Sequence, residues 1–414
     1  MYVSAVFLIV SALIFIGFLA NYFFDRTKIP DSLILIFLGI LLGPVANALY
    51  PDSIIAQIFR PEVFEDFAGL MASLAIMVIM FETGLNLDIR KVITEAPRSL
   101  FYATAHYFFT SILSGVLAAV LFGWDWPFAL MLGFLLGGTS AAVVIPLGKR
   151  LGLNSEEQTI LELESTITNV YNVILVVALA QYITTFSTDW RYPIQSILAA
   201  FSISIVFGAL IGYFWQKVLK KLQTTPFSYM LTFAVLMAFY AIMNEFGGNG
   251  PLFALVFGLT LTNVHLVSPL RMVNMIQLHR EISFFIRVFF FVFLGVIFKF
   301  STDPLHWLFV GVLSILSLTG RYVAARLMGI RASVEMAALI PRGLGEAVLS
   351  ALLIQEFAEK QPRYLAVVHD IVQIVSIAII MTNVLGAIMV WYILRQREKH
   401  QREDASTSAQ TTSA

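Results

Sequence analysis

The stretch ELESTITNVYN, Glu162 to Asn172, carries carboxylates, hydroxyls and carboxamides between two strongly apolar runs. On an α-helix, Glu162, Ser165, Asn169 and Asn172 recur at intervals of three, four and three and so share one face, with Glu164 and Thr168 in a second row beside it. Such a stripe offers the oxygen ligands that hard cations prefer. A carboxylate at membrane depth costs several kcal/mol unless paired or protonated, which makes the stripe a candidate functional site. Thr139 and Ser140 in GFLLGGTSAAVVIPLGK add hydroxyls at a point where the backbone is expected to unwind, so that Thr139 can offer both its carbonyl and its hydroxyl.

The elements that must hold these residues follow from composition. Of 414 residues, 59% are hydrophobic and 13% charged, and the mean hydropathy of +0.84 lies far above that of soluble domains. The chain is expected to be an all-α polytopic membrane protein. Apolar runs able to cross about 30 Å of hydrocarbon occur near 3–24, 30–50, 67–85, 99–122, 127–147, 156–183, 193–217, 227–245, 250–266, 281–299, 304–327, 333–355 and 366–394, about 13 transmembrane helices. The first lacks a basic leader and a small-residue cleavage site, so a mature helix is expected. Residues 395–414 combine a charged run with a Ser/Thr/Ala tail and are expected to be a disordered cytoplasmic tail.

Lys and Arg alternate strongly between loops. Eighteen fall on the side of Arg90, Lys149 and Arg331, and five on the other; the remaining three, Arg287, Arg321 and Arg342, lie inside expected spans. The positive-inside bias puts the N-terminus outside and the C-terminus in the cytoplasm of a multi-pass protein of the cell membrane. There is no Cys, no HExxH and no GxGxxG after a strand pattern, and the six His (His106, His265, His279, His306, His369 and His400) show no metal spacing. This argues against a membrane-embedded enzyme. No cofactor and no nucleic-acid partner is expected, and the lipid bilayer is the surrounding medium.

The fifth span contains Gly137-Gly138-Thr139-Ser140 and the twelfth Pro341-Arg342-Gly343-Leu344-Gly345. Gly weakens a helix and Pro removes a donor and clashes with the preceding turn, so both spans are expected to be discontinuous. If spans one to six and eight to thirteen form two inverted six-helix repeats about a linker helix, the two broken helices are equivalent and cross. That arrangement points to a secondary transporter rather than a channel. The polar residues at depth suggest pairs: Glu164 with Arg321 as a structural ion pair, and Arg342 setting the potential of the cavity. The sequence Ser155-Glu156-Glu157-Gln158 reads as a capping box starting the sixth helix.

At these residues the chain resembles the cation:proton antiporter superfamily, on its sodium/proton NhaP-like side. The resemblance rests on KIPDSLILIFLGILLGP, MFETGLNLDIRKV, GGTSAAVVIPLGKRLG, ELESTITN, FFIRVFFFVFLGVIFK and IPRGLGEAVLSALL, six stretches in the family's order. It implies a homodimer. Residues 1–95 (helices one to three) and 223–300 (eight to ten) would form a dimerisation domain, 96–185 (four to six) and 301–394 (eleven to thirteen) a core domain, and 186–222 a linker helix. It also implies exchange of Na+ or Li+, or K+ in some branches, for H+ by an elevator-like movement of the core. The cation would sit at Thr139, Ser140, Ser165 and Asn169, with Thr168 beside them. Glu164 and Ser165 match the family's Glu-Ser, Arg342-Gly343 its Pro-Arg-Gly motif, and Glu82 a Glu of span three.

Two positions depart from the pattern: the family's span-five motif, often Thr-Asp-Pro, is here Thr139-Ser140-Ala141, which removes one usual carboxylate, and the graver departure is at residue 169. Asn169 stands where the family has the Asp that binds cation and proton alternately, and a carboxamide cannot titrate. Three readings stay open: a substitution that mimics the protonated acid and locks the transporter; another proton carrier, Glu346, Glu162 or Glu82; or a transport-inactive cation-binding sensor.

Overall fold

The computed structural model describes residues 2–27, 31–59, 61–87, 89–90, 97–184, 191–222, 228–264, 269–297 and 301–412. Parts of the resemblance and of the charge bias, Lys28, Ile29, Pro30 and Lys91 among them, lie outside the described residues. Among the described residues there is no strand. The long elements are α1 (Tyr2–Thr27), α2 (Asp31–Ile40, prolonged through a π turn at Leu41–Val45 into Ala46–Leu49), α3 (Pro61–Asn86), α4 (Pro97–Phe122), α5 (Trp126–Leu135), α6 (Ala141–Arg150), α7 (Ser155–Thr184), α8 (Arg191–Lys221), α9 (Ser228–Glu245), α10 (Gly250–Asn263), α11 (Pro269–Val296), α12 (Pro304–Leu327), α13 (Ser333–Ala338), α14 (Leu344–Lys360) and α15 (Leu365–Thr412).

Six of these segments, within α3, α4, α7, α8, α12 and α15, are long and apolar enough by themselves to cross a membrane. Shorter apolar helices, α5, α9 and α10 among them, lie over other expected spans. Helices α5 and α10 are apolar all round and buried, Met131, Leu132, Phe253 and Phe257 being fully enclosed. By contrast α8 exposes Leu198, Val206, Phe207, Leu210 and Phe214. An exposed apolar face of that extent is suited to lipid rather than water. The chain is an all-α polytopic membrane protein.

Helix starts follow local chemistry. Asp303 Oδ1 accepts from the Leu305 N–H at 2.8 Å with Pro304 at the first helical position of α12, and Asn249 Oδ1 accepts from Leu252 N–H at 2.9 Å ahead of α10. Helix α7 begins at Ser155, but its capping box is one residue earlier than the sequence suggests. Asn154 Oδ1 accepts from Glu157 N–H at 2.9 Å and Glu157 Oε2 accepts from Asn154 N–H at 3.0 Å, so Asn154 and Glu157, not Ser155 and Gln158, form the reciprocal pair. Two boundaries also move. Helix α11 starts at Pro269, well before the expected residue 281. Residues 395–412, expected to be disordered, continue α15; the run RQREKHQRE consists largely of good helix formers with both charge signs interspersed.

Glycine sets how closely the helices pack. A Cβ on Gly39 of α2 would overlap the Val292 carbonyl oxygen of α11, and one on Gly295 of α11 would overlap the Ile36 carbonyl oxygen. Small residues let backbones meet in this way within a membrane. Gly295→Leu is therefore expected to lower stability by about 1–3 kcal/mol through overpacking, seen as a lower melting midpoint of the detergent-solubilised protein. Gly311→Ala supplies the control, since nothing lies within 4 Å of a Cβ there, and its midpoint should stay level or rise.

Candidate functional site

Two helices break at the same place. Between α5 and α6 the chain unwinds over 136–140, and between α13 and α14 over 339–343; Pro146 is accommodated inside α6. The freed backbone groups satisfy one another. Ser140 N–H donates to the Pro341 carbonyl at 2.9 Å, so the two breaks touch through their backbones. Asn383 Nδ2 of α15 donates to the Arg342 carbonyl at 2.6 Å, Arg342 N–H donates to Thr382 Oγ1 at 3.2 Å, and Gly343 N–H donates to Glu346 Oε2 at 2.9 Å. Irregular backbone at membrane depth requires such partners.

Arg342, expected to set the potential of the cavity, is fully buried and is not among the residues that line it. Its Nε and Nη2 donate to the Leu136 carbonyl at 2.8 and 2.5 Å, and Nη2 also donates to Ser317 Oγ at 2.8 Å. The guanidinium thus caps the negative C-terminal end of α5 instead of lining the cavity. Glu164, also fully buried, accepts from Arg321 Nη1 at 2.6 Å and Nη2 at 3.0 Å. Thr139 Oγ1 donates to Glu164 Oε1 at 2.8 Å, His106 Nε2 lies 2.8 Å from the same oxygen, and Arg321 Nε donates to the Met336 carbonyl at 2.9 Å. Four helices and the α5–α6 break are held together by this one charge pair.

An open cavity of about 280 Å³ reaches the crossing from the end of the molecule where α3 finishes and α7 begins. Ser140, Ala141, Leu344, Gly345 and Asn169 meet there, with Thr166 and Ile145 beside them, and Glu82, Thr83, Asn86, Glu162, Arg280 and Arg287 line the rest. A Cβ on Gly345 would lie 3.5 Å from Asn169 Oδ1, and one on Gly343 would lie 2.5 Å from Ser140 Oγ, so the two breaks and the α7 stripe converge. Of the four expected cation ligands, Ser140 and Asn169 face the cavity. Thr139 and Ser165 are buried behind it, the Ser165 hydroxyl donating to the Leu161 carbonyl at 2.8 Å. Thr168 is buried as well, its hydroxyl 3.3 Å from the Ser165 carbonyl. Glu82 and Glu162 line the cavity, whereas Glu346 lies behind its floor. Asn172, of the same polar face, is buried against Gly138 with neither amide atom hydrogen-bonded.

Several participants escape sequence reasoning. Arg280 stands one residue outside the expected span 281–299, whereas α11 already runs through it. His106 looked like one of six scattered histidines; its one signal is its place four residues after Tyr102 and four before Thr110 on α4, a polar row in an apolar helix. Ser317, Thr382 and Asn383 acquire roles only once the breaks exist.

The comparisons with known proteins agree with this geometry. Residues 9–396 match the family described as sodium/hydrogen exchanger, transmembrane. Similar chains include a K(+)/H(+) antiporter NhaP2 of Shewanella baltica, 29% identical over 63% of this chain and 44% of that one. The sodium/hydrogen exchanger 8 of Arabidopsis thaliana is 23% identical over 59% of this chain and 33% of that one. The chain thus spans between a third and a half of the length of these relatives. The solved sodium proton antiporter MjNhaP1 of Methanocaldococcus jannaschii shares the fold, with a TM-score of 0.74 at 17% identity, covering 95% of this chain and 100% of that one. With the family match running over nearly all of its length, and with two broken helices meeting at the floor of a polar cavity, the chain belongs to the sodium/hydrogen exchanger family.

Proposed function

We propose that the chain is a secondary antiporter that exchanges a monovalent cation, Na+, Li+ or K+, for H+. The observation that carries this reading is the junction of the two breaks, Ser140 against Pro341, at the inner end of an open polar cavity. A binding position surrounded by unwound backbone near the bilayer midplane is where secondary transporters place their substrates. Ser140 and Asn169 supply side-chain oxygens from the cavity, and Thr139, Ser165 and Thr168 form the oxygen-rich layer directly behind them.

Alternating access is supported by a second recess of about 240 Å³ at the far end of the same helices. It is lined by Gln181 of α7, Leu353, Glu356 and Lys360 of α14, Ser73 of α3 and Asn244 of α9. Both cavities run between α7 and α14 on one side and α3 with its neighbours on the other. In our reading α4–α7 and α12–α15 form a core that slides as an elevator against α1–α3 and α9–α11, with α8 as linker, in an inverted-repeat protein of thirteen crossings that works as a homodimer. The Lys/Arg bias makes the open cavity cytoplasmic.

The test is reconstitution of the full chain into liposomes with a trapped pH dye. An imposed gradient of Li+, Na+ or K+ is expected to drive proton flux of opposite direction that an ionophore abolishes. A transport-silent cation sensor is the second reading, and Asn169 is the residue that favours it; measurable cation binding with no proton flux at any pH would establish that reading instead.

A further inference from the structure

At the floor of the cavity a cation meets an unfavourable field. Helices α6 and α14 both begin at the crossing, so two positive N-terminal ends converge on Ser140, Ala141, Leu344 and Gly345. The cavity's charged lining, Glu82 and Glu162 against Arg280 and Arg287, is formally neutral. Asn169 adds no charge. A monovalent cation held there requires an anion close by, and exchange with H+ requires that the same anion accept a proton.

The buried carboxyls among the described residues are Glu157, Glu164 and Glu346. Glu157 is consumed by the Asn154 capping box and Glu164 by Arg321, His106 and Thr139. Glu346 differs. It is 1% exposed; Oε2 accepts from Gly343 N–H at 2.9 Å, and Oε1 is buried with no hydrogen-bond partner. A second unpartnered group lies on α7, which packs against α14: Asn172, with both amide atoms unsatisfied. Buried polar atoms without partners are uncommon and call for an explanation, a role in the chemistry among them. Glu346 directly follows Leu344 and Gly345, which line the cavity floor.

We infer that Glu346 is the proton-carrying acid of the exchange, ionised while a monovalent cation occupies the crossing and protonated when it does not. The inference rests on the antiport reading above. The step balances: the carboxylic acid loses its proton to the solvent on one face as one cation arrives, and the carboxylate takes a proton back on the other face as that cation leaves, one H+ per cation with no redox change. The charged and titratable groups that reach Glu346 are the Arg342 guanidinium from the preceding break and the Tyr107 phenol of α4. From α3, α7 and α11 the charged groups nearest the crossing, Glu82, Glu162, Arg280 and Arg287, line the open cavity instead, and α15 presents the neutral Thr382 and Asn383.

The experiment compares the native chain with Glu346→Gln and Glu346→Asp in dye-loaded liposomes, alongside infrared titration of the same purified proteins. Glu346→Gln keeps the oxygen that caps Gly343 and should fold. It is expected to reduce cation-driven proton flux to the level of empty liposomes and to remove a protonated-carboxyl band. Glu346→Asp should keep coupled flux with a displaced pH profile, which a merely structural role would not produce. If Glu346→Gln exchanges like the native chain with the same pH profile, or the infrared band is unchanged, the inference is overturned while antiport stands. If the native chain itself shows no exchange with Li+, Na+ or K+, the antiport reading fails and this inference fails with it.

Discussion

Replacing Arg321 by Met is expected to destabilise the protein by about 3–5 kcal/mol, the loss typical of removing one partner from a buried ion pair. The size follows from what remains. Glu164 is fully enclosed and receives both terminal nitrogens of Arg321; without them an ionised carboxylate sits in a low-dielectric interior supported only by Thr139 and His106. Arg321 also holds the Met336 carbonyl near the end of α13, so its loss loosens the entry to the second break. The double replacement Glu164→Gln with Arg321→Met removes both charges and keeps an oxygen for Thr139 and His106, and should recover most of the loss. Thermal melting of the two variants and the native chain in detergent checks this. Equal destabilisation by the single and double replacements would show that packing of the Arg321 stem, not charge, holds the core. Transport is expected to follow stability, because the pair joins α4, α7, α12, α13 and the α5–α6 break rather than touching the cavity.

Physical necessity decided which of these features the sequence makes legible. A carboxylate such as Glu164 in an apolar span demands a partner, and with three arginines in expected spans the choice was narrow; Arg321 is the one in contact. Gly137-Gly138 and Pro341-Arg342-Gly343 in otherwise apolar runs mark the unwound segments for the same kind of reason. The destination of Arg342 was not legible. Its acceptor, the Leu136 carbonyl, becomes an orphan only when α5 ends one residue earlier, and end points are set by tertiary context that local composition does not encode. The cavity wall was hidden likewise: Arg280 belongs to a helix whose first turns carry Arg271, Asn274 and Gln277 and so fail any hydropathy criterion. Side-chain period placed Asn169 and Glu162 on one face correctly. It could not say that Ser165 and Thr168 would be sealed behind that face, since burial depends on how closely α14 and the breaks approach.

The position of residue 169 leads to the second large effect. In a chain already carrying Glu346→Gln, a further Asn169→Asp is expected to restore cation-driven proton flux, because it returns one titratable anion to the crossing, now in the cavity itself. In the native background Asn169→Asp alone should tighten cation binding. A charged ligand contributes about 1.5–3 kcal/mol where a neutral oxygen contributes about 1, and with tenfold per 1.4 kcal/mol the difference corresponds to roughly two- to thirtyfold in affinity. The pH dependence has a definite sign. An acid protonates as pH falls and then releases the cation, so every variant with a carboxyl at the crossing should lose apparent cation affinity toward low pH, and the Glu346→Gln chain, with none, should not. Isothermal binding of the cation at several pH values, together with flux in liposomes, measures both. A double variant that folds and binds cation but moves no protons would mean that the two positions are not interchangeable. In that case the charge required by the converging ends of α6 and α14 is supplied from the cavity wall, by Glu162 or Glu82, and those carboxyls become the next to replace.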